Sequence, residues 1–185
     1  MKITLGISGA SGTVLALKAI EYLSKEHELS VIASDNGNRI FEQECKISLY
    51  DYLRRKRNVS RFYNNDLSVS IASGTSQQDA MIILPCSAAT AGRIANGSGD
   101  TLLTRAADVM LKEKRHLVLA LRESPLSSVT LKNLEYLSLC GAVICPVVPP
   151  FYCEPQTLDE LYNLTLGRIL LSAGVKNDLI PPFKG

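Results

Sequence analysis

The sequence predicts an α/β fold, a doubly wound parallel sheet flanked by helices. Three observations carry that expectation. Short runs of Val, Ile, Leu and Ala are nearly continuous, the pattern of strands covered on both faces. Stretches with apolar residues at helical spacing alternate with them. The connections are short, as successive strand–helix–strand units require.

Residues 3–7 form the first apolar run. It is too short for a signal peptide and runs straight into glycines, so it reads as a strand. The loop Gly6-Ile7-Ser8-Gly9-Ala10-Ser11-Gly12 then opens a helix over residues 13–25. There Leu15, Ala19 and Leu23 share one face, and Lys18, Glu21 and Lys25 point outward. A strand at 29–33 and a helix at 38–45 follow. Residues 48–65 break the rhythm and receive no element. Strands are then expected at 80–84, 116–121 and 142–145, and helices at 101–112, 131–139 and 158–171. Residues 1–176 read as one domain, and 177–185, with Pro181-Pro182, as an irregular tail.

The net charge of +2 is too weak to argue for nucleic acid. The run Arg54-Arg55-Lys56-Arg57 invites that reading, yet no interleaved aromatics or second basic patch support it, so a solvated face is assigned. No apolar run reaches the roughly eighteen residues of a membrane span. Cys45, Cys86, Cys140, Cys145 and Cys153 make no C-x-x-C pair, and only His27 and His116 could add imidazole ligands. No metal is expected. Reduced thiols and a cytoplasmic location are.

The crossover rule gathers the loops after the strands at one edge, where such sheets bind ligands. In the loop at 6–12, glycines allow close approach of an anion, and the free N–H groups of the following helix favour negative charge. The same small residues would equally serve a tight turn with nothing bound. No Gly-Lys-Ser/Thr follows, so this is no Walker loop. Ser34, then Asp35, stands where NAD-binding sheets end their second strand in a ribose-binding carboxylate, which favours a mononucleotide.

Pro85-Cys86-Ser87-Ala88-Ala89-Thr90 carries hydroxyls able to bond a ligand, while Ser87 could equally cap a helix. Arg122-Glu123-Ser124-Pro125 pairs a fixed cation for phosphate with a carboxylate for proton transfer, or forms a structural ion pair. Lys112, Tyr152 and Arg168 are further phosphate-capable groups whose spacing does not show convergence.

Taken in order, GISGASG (Gly6 to Gly12), LPCS (Leu84 to Ser87), LTRAADVMLK (Leu103 to Lys112), RESPL (Arg122 to Leu126), GAVICP (Gly141 to Pro146) and Phe151-Tyr152 closely resemble the UbiX-type flavin prenyltransferases of the UbiX/Pad family. The resemblance covers nearly the whole chain. It implies a Rossmann-like flavoprotein fold and a homo-oligomer, commonly a dodecamer, with sites at subunit contacts. It also implies metal-independent transfer of a dimethylallyl group from its monophosphate, or in some members its diphosphate, to N5 and then C6 of reduced FMN. The product, prenylated FMN, serves a UbiD-type decarboxylase.

By motif, the resemblance assigns Gly9, Ala10, Ser11, Ser34, Ser87, Ala88, Ala89, Thr90 and Arg122 to FMN. It assigns Lys112, Arg122, Tyr152 and Arg168 to the prenyl phosphate, partly across subunits. Glu123 and Ser11 become the catalytic pair, Ser11 beside N5. Glu44 matches an acidic position usually followed by Thr-Asp. Here Cys45-Lys46 follows, so Glu44 is left out of the catalytic set. Some members place a Trp near the prenyl group, and Leu67 stands in the corresponding stretch of this Trp-free chain. The rival readings are an FMN-dependent cysteine decarboxylase, whose Pro-x-Met-Asn segment is missing here, and a non-catalytic flavin-delivery subunit.

Overall fold

The computed structural model describes residues 1–182. The sheet begins with β1 (Lys2–Ile7), which leads through α1 (Thr13–Leu23) to β2 (Glu28–Ala33). Then come α2 (Asp35–Cys45), α3 (Leu49–Leu53), β3 (Val59–Tyr63) and a 3-10 turn at Ser70–Ala72. The second half holds β4 (Ala80–Cys86), α4 (Ala88–Ala95), α5 (Leu102–Lys112), β5 (His116–Leu121), α6 (Ser128–Leu139) and β6 (Val143–Ile144). A second 3-10 turn at Phe151–Cys153 precedes α7 (Leu158–Ser172).

All six strands are parallel, in the order β3-β2-β1-β4-β5-β6. The order reverses direction between β1 and β4, and both strands are buried along nearly their whole length. On one face Leu5, Ile7 and Val118 pack with Ile20, Phe41, Ile169 and Leu170, so α1, α2, α3 and α7 cover that side. On the other, Met81, Ile83 and Leu119 pack with Ile94, Leu103, Met110 and Leu137 of α4, α5 and α6. Each buried Leu or Ile contributes about 1.5–3 kcal/mol of transfer free energy. The doubly wound parallel sheet expected from the apolar rhythm is the one observed, in the Rossmann-like form that the resemblance implies.

The structure differs from the expectation in several places. The unassigned stretch at 48–65 contains α3 and β3. β3 is an edge strand paired only with β2, and its sequence VSRFY needs no continuous apolar run because no second strand covers it. Its Arg61 guanidinium lies 4.9 Å from the Tyr50 ring centroid and 4.7 Å from that of Tyr63. α4, AATAGRIA, is short and built mostly of small residues that let it pack closely on α6, burying Ala91 and Ile94. The strand expected at 142–145 shrinks to two residues.

Residues 177–180, expected as part of the tail, pack on α7. Asn177 donates from Nδ2 to the Gly167 carbonyl at 3.1 Å, and Tyr22 donates to Asp178 at 2.9 Å. A Cβ at Gly167 would stand 3.0 Å from Leu179, so the glycine makes room for this segment. Residues 181–182 follow without regular structure, and the last three of the expected tail, 183–185, lie outside the described residues.

Candidate active site

The loops after the strands are tied to one another by short hydrogen bonds. Ser8 is fully buried; its Oγ donates to the Pro85 carbonyl at 2.9 Å and accepts from the Ser87 N–H at 2.8 Å. The Arg122 N–H donates to the Cys86 carbonyl at 2.9 Å, and the Val147 N–H to the Leu121 carbonyl at 2.9 Å. The Ser34 N–H donates to the Ile7 carbonyl at 2.9 Å, and a Cβ on Gly37 would collide with that same carbonyl group. These bonds bring the loops that carry Gly9, Ala10, Ser11, Ser34, Ser87, Ala88, Ala89, Thr90, Arg122 and Glu123 to one edge, at the reversal of strand order.

Both expected ligand hydroxyls also act as helix caps. Ser34 Oγ accepts from the Gly37 N–H at 3.0 Å, and Ser87 Oγ accepts from the Thr90 N–H at 3.2 Å. Every helix from α2 to α7 starts on a Ser or Thr cap of this kind. α1 does not. It starts at Gly12, whose φ of +95° only glycine adopts readily, and has no cap of its own.

Glu44 of α2 takes that place. Its Oε2 accepts from the Thr13 hydroxyl at 2.7 Å, the Thr13 N–H at 2.8 Å and the Gly12 N–H at 3.0 Å. The anion that the glycine loop favours is thus, at this helix end, one of the chain's own carboxylates. Burial pushes the Glu44 carboxyl up, but the hydrogen bonds from the Thr13 and Ser11 hydroxyls and from the Thr13 and Gly12 backbone outweigh it. The net result lies below the usual carboxylate value. Sequence reasoning left Glu44 out of the catalytic set, and its position four residues before α3's cap gives no hint of this reach.

Beside these groups opens a cavity of about 490 Å³, within the size range of small-molecule sites. Ser11, Glu44 and Arg122 form its polar part, while Val14, Leu15, Val147, Pro149 and Leu161 give it an apolar wall. Tyr162 and Thr165 complete it from α7, two residues that no motif flagged.

The remaining expected residues are distributed unevenly. Glu123 is exposed, and its Oε1 accepts from the Ser124 N–H at 3.2 Å. Among the described residues no ion pair joins it to Arg122. Tyr152 lies exposed on the second 3-10 turn, in the connection after β6. Arg168 is exposed on α7, at helical spacing from the cavity residues Leu161 and Thr165. Lys112 does not join them. α5 starts beside the carboxyl end of β3, where the Leu102 N–H donates to the Asn64 carbonyl, and runs back toward the start of β5. Lys112 therefore sits at the opposite edge of the sheet, paired with Glu113 at 2.6 Å.

Cys86, inside the LPCS motif, is fully buried, and burial pushes its thiol up to about 12. It is no nucleophile at neutral pH. In the native protein at pH 8, iodoacetamide should alkylate exposed Cys140 and spare Cys86, as read by peptide mass mapping; comparable labelling of both would contradict this burial.

Comparison with known proteins agrees with this architecture. Residues 1–169 match the Flavoprotein family. A flavin prenyltransferase UbiX of Helicobacter pylori is 42% identical over 182 residues, 98% of this chain and 97% of the relative. One from Thermoplasma acidophilum is 40% identical over 180 residues, 97% of this chain and 98% of the relative. Among solved structures, AnUbiX (PadA1) in complex with FMN and dimethylallyl pyrophosphate superposes with a TM-score of 0.93 at 32% identity, covering 100% of this chain and 97% of that one. A dodecameric FMN-dependent UbiX-like decarboxylase from Escherichia coli O157:H7 gives 0.92 at 33% identity, with both chains fully covered. The cysteine decarboxylase TvaF reaches only 0.65 at 21% identity and shares the fold. With near-complete relatives on both counts, and its loops drawn together where the sheet reverses, the chain belongs to the UbiX-type flavin prenyltransferases of the Flavoprotein family.

Proposed function

We propose that this chain transfers a dimethylallyl group from dimethylallyl monophosphate or diphosphate to N5 and then C6 of reduced FMN, yielding prenylated FMN for a UbiD-type decarboxylase. The observation that carries the reading is the cavity that sets Ser11, Glu44 and Arg122 against an apolar wall at the sheet's switch edge. Such a wall suits an allylic carbon chain, and a fixed guanidinium suits a phosphate. The residues present fit FMN: the start of α4 offers the Ser87 and Thr90 hydroxyls at the switch edge.

Reduced FMN supplies the nucleophile N5. On this reading Gly9, Ala10, Ser11, Ser34, Ser87, Ala88, Ala89, Thr90 and Arg122 hold the flavin, Ser11 beside N5. Arg122, Tyr152 and Arg168 hold the prenyl phosphate, and the first of these stabilises the charge that grows as the C1′–O bond breaks. The apolar wall excludes water from the allylic cation. Glu123 relays protons between the flavin and the phosphate released from C1′: N5 gives up its proton as it bonds to C1′, and ring closure moves one proton from C6 to C2′ of the prenyl alkene as C6 bonds to C3′. Lys112 serves a neighbouring copy's site, which requires a homo-oligomer; a dodecamer is proposed by analogy with the Escherichia coli relative. Residues 1–176 act as the FMN-binding unit, and the cytoplasm is the proposed compartment, supported by five free thiols.

Anaerobic incubation with reduced FMN and dimethylallyl monophosphate should yield a flavin heavier by one five-carbon unit in the mass spectrum. No adduct with either the mono- or the diphosphate would end the transferase reading. Arg168→Ala should raise the KM for the prenyl donor by about tenfold, as for loss of one charge-assisted hydrogen bond, and leave FMN affinity nearly unchanged. Equal losses for both ligands would remove Arg168 from the donor site.

A further inference from the structure

We propose that Thr13 is a positioning residue for this transfer: it locks Oε2 of Glu44 and thereby reserves Oε1 for the hydroxyl of Ser11 in the cavity wall. The inference rests on the proposed function and on the asymmetry of a single carboxylate. Oε2 receives three donors, two of them from Thr13 at 2.7 and 2.8 Å. Oε1 accepts the longer branch of a shared bond, 3.2 Å from the Gly12 N–H, which also donates to Oε2. A carboxylate oxygen accepts about two hydrogen bonds comfortably, so Oε2 is saturated and Oε1 has lone pairs to spare.

Ser11 is bonded to Glu44 as well. The Thr13 and Ser11 hydroxyls thus both donate to Glu44, and Ser11, held by that bond, keeps its lone pairs for the atom it touches. Thr13 never meets the ligand. It is fully buried, and its hydroxyl lies 3.9 Å from Cys45 Sγ on the other side. A hydrophobic residue there would preserve α1's packing and remove one of the two strong anchors on Oε2. Glu44 would then lose part of what offsets its burial, and its affinity for a proton would rise. The other titratable groups facing this carboxylate are Arg122 and Tyr162 across the cavity and Cys45 beside Thr13.

A plain capping role would make Thr13 a matter of stability alone. The two roles separate with Thr13→Val, which is nearly isosteric and keeps the backbone N–H, and Thr13→Ser, which keeps the hydroxyl. Two readouts are needed. The first is the carboxyl 13C titration of Glu44 in the flavin-free protein, independent of any activity. Thr13→Val should raise its midpoint by about one pH unit, the size of one charge-assisted hydrogen bond, and Thr13→Ser should restore it. The second is the pH profile of kcat for adduct formation. Its acid limb should move up by about the same amount in Thr13→Val, with a roughly tenfold loss of kcat below that limb and KM values changed less than about twofold.

An unmoved Glu44 midpoint overturns the proposal, whatever the activity. A moved midpoint with an unmoved kcat profile reduces Thr13 to a structural cap and also overturns it. A wild-type protein that forms no adduct removes the proposed function and the catalytic part of this inference with it, while the titration still decides whether Thr13 holds Glu44.

Discussion

Gly37→Ala should unfold this protein about 6–12 °C earlier than the wild type. The backbone at Gly37 does not require glycine, since its φ is ordinary; the space does. An added Cβ would collide with the Ile7 carbonyl oxygen and stand 2.9 Å from the carbonyl carbon. Neither atom can swing aside, because Ile7 ends β1 and its oxygen already accepts from the Ser34 N–H at 2.9 Å. α2 must move off the sheet, which breaks the Ser34 cap and loosens Phe41 and Glu44 further along the helix. Overpacking of this kind costs about 3 kcal/mol, and each kcal/mol lowers the midpoint by about 2–4 °C in a chain of this length. Gly92→Ala is the matched control. Its Cβ would meet only the end of the Asn133 side chain, at 3.2 Å, and helix propensity improves by up to about 1 kcal/mol. Calorimetry should find Gly92→Ala at or above the wild-type midpoint. Equal midpoints for Gly37→Ala and wild type would show that α2 is not wedged against β1.

Glu123→Gln should reduce kcat for flavin alkylation by about 10²–10³-fold, the range of a lost general acid–base group. The change is isosteric and leaves an oxygen to accept from the Ser124 N–H, so the loop after β5 should keep its shape. FMN affinity should stay within about twofold. Anaerobic rapid quench with mass detection would show whether the N5-linked species accumulates before ring closure. Undiminished product formation would take the proton-transfer role away from Glu123 and leave Arg122 as the only functional group of the RESPL motif at the edge.

The central strands were legible because burial on both faces leaves little choice but Val, Ile, Leu and Ala, and residues 3–7, 29–33 and 80–84 obey that demand. β3 was not, since an edge strand may carry an exposed Ser60 and a half-buried Arg61 without penalty. α4 hid for the opposite reason: its fit against α6 selects small residues, which imitate a loop in sequence. At the site, the glycine loop and the Arg122-Glu123 pair announced themselves because both follow strands. Glu44 did not, since its partners Gly12 and Thr13 are 32 and 31 residues away. Lys112 illustrates a different limit. Its motif was recognisable, but the edge on which it sits depends on the direction in which α5 runs, a property of the assembled sheet.

The stitch made by Ser8 has a mechanical meaning. Where crossovers depart in opposite directions, two neighbouring strands leave a gap between the helices that follow them. One buried hydroxyl, gripping Pro85 and Ser87 at once, fixes how wide that gap opens at its base. The starts of α1 and α4 then behave like the jaws of a calliper whose hinge has been pinned. A molecule resting between them meets a set spacing, and the aperture is gauged before any ligand arrives.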